Sequence, residues 1–259
     1  MKRKNEFLTC LLYCSVILTS ILTLISCTPR VSEQPYSLLP PDAKIAPSIA
    51  VPSIRERMIF LAIQEWTLFG NPVADYQSDP PKLIFPDQNT PANEAHPALF
   101  ARVNMYWQRV SSLHLFGYEG ELRPWSAAFI GWLARSAGVS ESDLPSSVLH
   151  WDYIEYILKQ SPPGRFIARD ARFHAPKPGD LVCAPRGKSF IDKVDSFINL
   201  VRGAYHCDLA VNRHERSLLV IGGNVLDAVS MTEVELDADG YIVPNAYRPW
   251  RIIIEQRTP

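Results

Sequence analysis

The run Arg123-Pro124-Trp125-Ser126-Ala127-Ala128-Phe129-Ile130-Gly131-Trp132 constrains the fold more than any other stretch. Proline suits the first turn of a helix, where its missing N–H has no partner to lose. Ala127, Ile130 and Ala134 follow at helical spacing, and Gly138 supplies a stop. A helix with so few polar positions has to be buried, so the rest of the chain must be arranged around it. Its first turn carries Ser126, at the electropositive end of the helix dipole. A hydroxyl held there is either a nucleophile or an ordinary helix-start residue.

Other helices are expected nearby. Ser53 and Glu56 have capping-box spacing and open an apolar face of Ile54, Met58, Leu61, Ala62 and Phe69, which Gly70-Asn71-Pro72 ends. Glu65-Trp66 on this helix is either a ligand-facing pair or core. Residues 71–97 are rich in Pro and Asp and read as a long loop or a lid. A second helix is expected over 98–112 and another over 148–160, closed by Ser161-Pro162-Pro163-Gly164.

The second half turns to strands. Pro176 to Asp180 reads as a turn in which Asp180 holds the start of the strand Leu181-Val182-Cys183. A further helix is expected over 189–201. His206 to Val211 alternates as a strand, Ser217 to Ile221 as another, with a turn at Gly222-Gly223-Asn224 and a third strand from Val225. Asp237 to Gly240 is a turn, and Trp250 to Glu255 a closing strand. Helices first and strands afterwards predict one α+β domain over 53–259, with the helices packed on a small antiparallel sheet.

The N-terminal residues differ in kind. Lys2, Arg3 and Lys4 precede an apolar run from Phe7 to about Ile25, which fits a secretory signal or a short membrane anchor. Leu24-Ile25-Ser26-Cys27 resembles the bacterial lipobox, which implies cleavage before Cys27, its lipidation, and residence in the cell envelope. Thr28 in place of Asp is compatible with an outer-membrane anchor facing the periplasm. Residues 28–52, with six prolines and no periodicity, then read as an extended tether. Cys10 and Cys14 leave with the leader, so Cys183 and Cys207 remain as either a disulfide or two buried thiols. A formal charge of −1 offers no basic field, so nucleic acid is not implied as a partner.

The chemistry-bearing residues are Ser126, His206 at a strand start, Asp208 two residues on, and Asn224. Residues 206 and 208 of a strand share a face, so Asp208 flanks His206. Opening an amide with a hydroxyl requires an imidazole to take its proton and a group to orient that imidazole. His206 fills the first role, and Asn224 or Asp208 the second. Cys183, His206, Cys207 and Asp208 lack a zinc spacing, and no cofactor or metal site is expected. The remaining histidines, His96, His114, His150, His174 and His214, fall in loops or at element ends, where solvated side chains are the rule. His150-Trp151-Asp152 alternatively lines a substrate groove.

In order, W-S-A-A-F-I-G-W, P-K-P-G-D-L-V, H-C-D-L-A-V and I-G-G-N resemble the papain-like peptidoglycan hydrolases of the NlpC and CHAP type. More closely, Arg123 to Trp132, Pro178 to Ala184 and His206 to Val225 resemble the bacterial lipoprotein family of domain of unknown function 2272. The resemblance implies a papain-like fold with the nucleophile position at Ser126, the base at His206 and the polar third residue at Asn224. From the residues themselves, Trp125 either walls the substrate cleft or packs in the core, and Arg123 either binds stem-peptide carboxylates or joins a surface ion pair. The departure is Ser126, where the NlpC and CHAP enzymes have cysteine. Two functions are therefore expected as alternatives: a peptide or amide hydrolase acting on peptidoglycan through Ser126 and His206, or an inactive lipoprotein that binds peptidoglycan.

Overall fold

The computed structural model describes residues 51–86, 93–110, 124–187 and 197–258. The leader, Cys27, most of the tether and Arg123 lie outside these residues. Among the described residues, four helices pack on an eight-stranded mixed sheet. In chain order these are α1 (Ile54–Leu68), β1 (Val73–Asp75), β2 (Lys82–Ile84), α2 (Pro97–Val110), α3 (Ser126–Ala137), α4 (His150–Lys159), β3 (Phe166–Asp170), β4 (Leu181–Pro185), β5 (Tyr205–Arg213), β6 (Ser217–Val225), β7 (Ala228–Glu235) and β8 (Ile252–Gln256). Among the described residues, no helix is long and apolar enough to cross a membrane.

Helix α3 is the centre. Ten of its twelve residues are buried, and only Arg135 and Ser136 in the last turn reach solvent. Gly138 stops it in the left-handed conformation, φ 93°. Helix α1 begins with the Ser53–Glu56 capping box: the Ser53 hydroxyl accepts from the Glu56 N–H at 3.2 Å, and Glu56 accepts from the Ser53 N–H at 2.7 Å. Glu65 on α1 is buried and tied to Tyr106 and Arg102 of α2, with Arg102 Nε donating at 3.1 Å. Its role is to join two helices, because a buried carboxylate is tolerated only when paired. Trp66 is part-buried, and its indole donates to the Pro72 carbonyl at 2.9 Å. Tyr106 then packs on Trp125, Phe129 and Trp132 at ring separations of 5.6, 5.3 and 5.1 Å.

The sheet runs β2-β1-β7-β6-β5-β4-β8-β3. It differs from the small antiparallel sheet expected in three ways, two of size and one of strand direction. The supposed loop at 71–97 contains β1 and β2, which are only three residues each and carry no readable period. β3 was not anticipated and pairs antiparallel with β8. β1 joins β7 in parallel, through Val73 and Met231, so the sheet is not purely antiparallel. Of the helix expected at 189–201, the described part holds a single 3-10 turn, Phe197–Asn199; the remainder lies outside the described residues.

One correction bears on the site. Gly222-Gly223-Asn224 is not a turn. Strand β6 runs through it to Val225, and the reversal falls at Leu226 and Asp227, with φ of 51° and 64°. The glycines serve close approach. A Cβ on Gly222 would stand 1.7 Å from Asp208 Oδ1, and one on Gly223 would stand 2.5 Å from Phe129 Cβ and 2.6 Å from Trp125 Cζ3. Backbone has to replace side chain where β6 passes between the start of α3 and Asp208.

β4 and β5 are cross-linked. Cys183 and Cys207 are directly opposite in register and form a disulfide. Asp180 holds the approach to β4 as expected, accepting from the N–H groups of Lys177 at 2.8 Å and Gln256 at 2.9 Å.

Candidate active site

Ser126 is the first residue of α3, and no side chain caps that helix start. The N–H groups of the first turn are therefore left for another acceptor. The structure gives Ser126 a different partner from the one expected: its Oγ lies 2.7 Å from Nε2 of His150, at the first turn of α4. His150 is neither solvated nor incidental. It is 4% exposed, against 2% for Ser126, and its Nδ1 meets the hydroxyl of Tyr153 one turn along the same helix. Residues three apart on a helix share a face, so α4 presents imidazole and phenol as one unit.

Burial keeps His150 neutral, pushing its pKa well below the ordinary imidazole value. A protonated His206 would act in the same direction, as do the charges of Arg186 and Arg248. Burial likewise holds Tyr153 well above the usual phenol value, with Asp208 adding to the effect, so Tyr153 keeps its proton. With His150 Nδ1–H donating to that phenol, Nε2 carries the lone pair toward Ser126.

His206 forms a second pair. Its Nε2 lies 2.6 Å from Asp208 Oδ1, which confirms that positions 206 and 208 share a face of β5. Burial lowers the His206 pKa, with Arg248 assisting and Asp208 opposing. Burial would raise Asp208, but the combined pull of His206 and Arg248 holds it below the carboxylate range. The pair is best described as a neutral imidazole donating to a carboxylate. Oδ2 of Asp208 faces Arg248 Nη1 at 3.5 Å, and neither atom has a hydrogen-bond partner among the described residues. The two imidazoles are adjacent, with ring centroids 5.5 Å apart.

Asn224 does not orient His206. With its amide oxygen turned to the start of α3, it accepts from the Trp125 backbone N–H at 3.0 Å and the indole N–H at 3.3 Å. It fixes the residue before the nucleophile position. Trp125 is core: 1% exposed, bonded to Glu94, and packed on Phe69 at 6.0 Å and Phe129 at 6.3 Å. A wall of a substrate cleft would need an open ring face, which it lacks. Arg123 lies outside the described residues.

Two cavities meet here. The first, about 290 Å³, is lined by Ser126, His150, Trp107, Leu149, Tyr205 and Arg186, among others. The second, about 210 Å³, is lined by His206, Asn224, Arg186, Arg248 and Tyr247, among others. Arg186 borders both. Sequence reasoning missed His150 as a partner of Ser126, and also missed Tyr153, Arg186 and Arg248. A His and a Tyr three apart at a helix start was the one available signal for His150, and that spacing alone names no partner.

The family model described as an uncharacterized protein conserved in bacteria, domain of unknown function 2272, matches residues 108–255. No curated protein and no solved structure matches the chain. The match takes in Ser126, His150, His206 and Asp208 and covers more than half of the 259 residues, and the chain belongs to the family of domain of unknown function 2272.

Proposed function

We propose that the protein is a lipid-anchored envelope hydrolase of papain-like, NlpC and CHAP type, which opens a peptide or amide bond of peptidoglycan with Ser126 as nucleophile and His150 as base. One observation carries the proposal: the 2.7 Å contact between Ser126 Oγ and a neutral imidazole nitrogen, at the wall of a cavity. His150 Nε2 takes the hydroxyl proton as Oγ attacks the carbonyl carbon. Negative charge develops on the carbonyl oxygen, where the uncapped N–H groups of α3 can receive it. The C–N bond then breaks, His150 returns its proton to the leaving amine, and an acyl-Ser126 ester remains. Water, deprotonated by the same imidazole, releases the carboxylic acid and restores the serine. In the tautomer whose Nδ1–H donates to the Tyr153 oxygen, the lone pair stands on Nε2, facing Ser126. The envelope location rests on the resemblance of Leu24 to Cys27 to a lipobox, with acylated Cys27 as the anchor in the outer membrane.

The test is digestion of purified sacculi by the full-length protein, with soluble fragments read by mass spectrometry. Fragments with new amine ends are expected. Ser126→Ala should abolish them, and His150→Gln should slow their release by about 10²-fold or more. Unaltered sacculi, or release that survives Ser126→Ala, would end the hydrolase reading. A second reading is favoured by one feature: the orienting partner of His150 is a neutral phenol, where hydrolytic triads use a carboxylate. On that reading the cleft binds peptidoglycan without cleaving it. Sedimentation with sacculi would then persist in Ser126→Ala and in His206→Ala.

A further inference from the structure

The cavity beside His206 is not used by the Ser126–His150 chemistry, and its charge is unbalanced. Two guanidinium groups border it. Arg248 has 14% of its side chain exposed; its Nε and Nη2 donate to the Tyr76 hydroxyl at 3.0 and 2.5 Å, while its buried Nη1 is ion-paired with Asp208 Oδ2 at 3.5 Å. Arg186 stands at the rim. Its charge is disfavoured by the surrounding protein and then by Arg248, with no acid acting to offset either. Among the described residues Arg186 has no ion-pair partner. The single carboxylate at the site, Asp208, is fully buried and has one oxygen committed to His206. Like charges on one concave surface disfavour each other's charged forms. Asp208 offsets Arg248, which leaves the charge of Arg186 for an anion to balance.

We propose that Arg186 and Arg248 form a carboxylate-binding subsite for the substrate, next to the nucleophile cavity. This rests on the reading of that cavity as the place of reaction. Arg186 is the link, since it borders both spaces. The nucleophile's side offers Trp107, Val148, Leu149 and Tyr205, an apolar lining for a small side chain or peptide segment. A substrate lying along Arg186 places its acyl portion there and its free carboxylate between the two guanidinium groups. A carboxylate suits the position because its two coplanar oxygens match the guanidinium fork. The substrate class that follows is a short peptide with a free carboxylate close to the bond that is cut. A bound carboxylate would also offset Arg186, one of the charges opposing protonation of His150. The anionic substrate would thus improve its own general base.

The experiment uses the full-length chain with Ser126→Ala, so that nothing is consumed. N-acetyl-alanine, N-acetyl-alaninamide and inorganic phosphate are titrated separately at constant ionic strength, with the arginine side-chain N–H resonances followed by NMR. The expected result is a saturable displacement by N-acetyl-alanine, with the amide at least about tenfold weaker, and loss of the difference in Arg186→Gln. Arg186 is exposed, so that replacement leaves the packing intact. Equal midpoints for acid and amide, saturation by neither, or an acid response that survives Arg186→Gln would each overturn the subsite. Tighter binding of phosphate than of N-acetyl-alanine would overturn its assignment to a carboxylate. Because the readout involves no bond cleavage, a protein that binds the acid but leaves sacculi intact refutes the hydrolase and not the subsite.

Discussion

Gly222→Ala is the sharpest test of how the site is built. The added Cβ would lie 1.7 Å from Asp208 Oδ1, 2.6 Å from its Cγ and 2.9 Å from Val225 Cγ2. Restoring van der Waals separation requires the carboxylate to retreat by about 1.5 Å, and a 2.6 Å hydrogen bond does not survive such a shift. Asp208 has no exposed surface, so the displaced charge cannot reach water. A charge-assisted hydrogen bond contributes about 1.5–3 kcal/mol, and a buried charge parted from its partner costs about 3–5 kcal/mol. The expected destabilisation is therefore about 3–5 kcal/mol. Most of it should vanish when the carboxylate is absent. In an Asp208→Ala background the nearest remaining neighbour of the alanine at 222 is Val225 Cγ2 at 2.9 Å, an overpacking of about 1 kcal/mol. The four proteins of this cycle, unfolded in urea with the disulfide intact, should show a coupling of about 2 kcal/mol or more. Additivity to within about 0.5 kcal/mol would refute the claim that Gly222 exists to admit Asp208.

The other predictions concern charge and cross-linking. His150 and His206 both have folded pKa values below the free imidazole value, so the unfolded chain binds more protons as pH falls below about 6.5. Their contribution is complete above that pH and declines below it, by up to about 1.4 kcal/mol per pH unit for each histidine. Melting temperatures between pH 8 and 5 should follow this decline, and His150→Gln should make it shallower. Asp208 acts in a lower window: its depressed carboxylate stabilises above about pH 4 and stops doing so as pH falls through its folded value. Replacing Cys183 and Cys207 together by Ala should cost about 3–4 kcal/mol, from a loop closed at a sequence separation of 24. The same loss should appear when the native protein is unfolded in reductant, and equal midpoints with and without reductant would count against it.

How much of this was legible depended on range. Local signals served well: the capping box at Ser53, the stop at Gly138, the Asp180 turn and the shared face of His206 and Asp208 all rest on residues within a few positions of each other. Strands β1 and β2 were not legible, because three residues hold no period and the strands owe their place to pairing with each other and with β7. Gly222-Gly223 misled for a physical reason. Two glycines permit a turn and permit close approach equally, and only the neighbours Asp208, Trp125 and Phe129 decide between them. The pairing of Ser126 with His150 spans 24 residues across two helices, and nothing in the spacing of either residue specifies it.

The nucleophile position and the strand-borne histidine are thus both present, but each has a separate partner. Had His206 been the base of Ser126, Asp208 would have made it a stronger one, and the buried phenol on His150 would have no purpose at the site. Instead the carboxylate lies with the imidazole that does not bond Ser126, and Arg248 sits against that carboxylate. The His206–Asp208–Arg248 chain is therefore best read as the support of the second cavity, holding Arg248 in its wall. Ser126, His150 and Tyr153 form the other half, in which a proton can move without any formal charge being present beforehand. A hydroxyl asks more of a poorly basic imidazole than a thiol would, because its proton is far harder to remove. The dry surroundings that lower the basicity of His150 also disfavour a resting ion pair, whichever nucleophile stands at position 126. Ser126 can therefore lose its proton only as its oxygen attacks, when the charge passes on to the carbonyl oxygen.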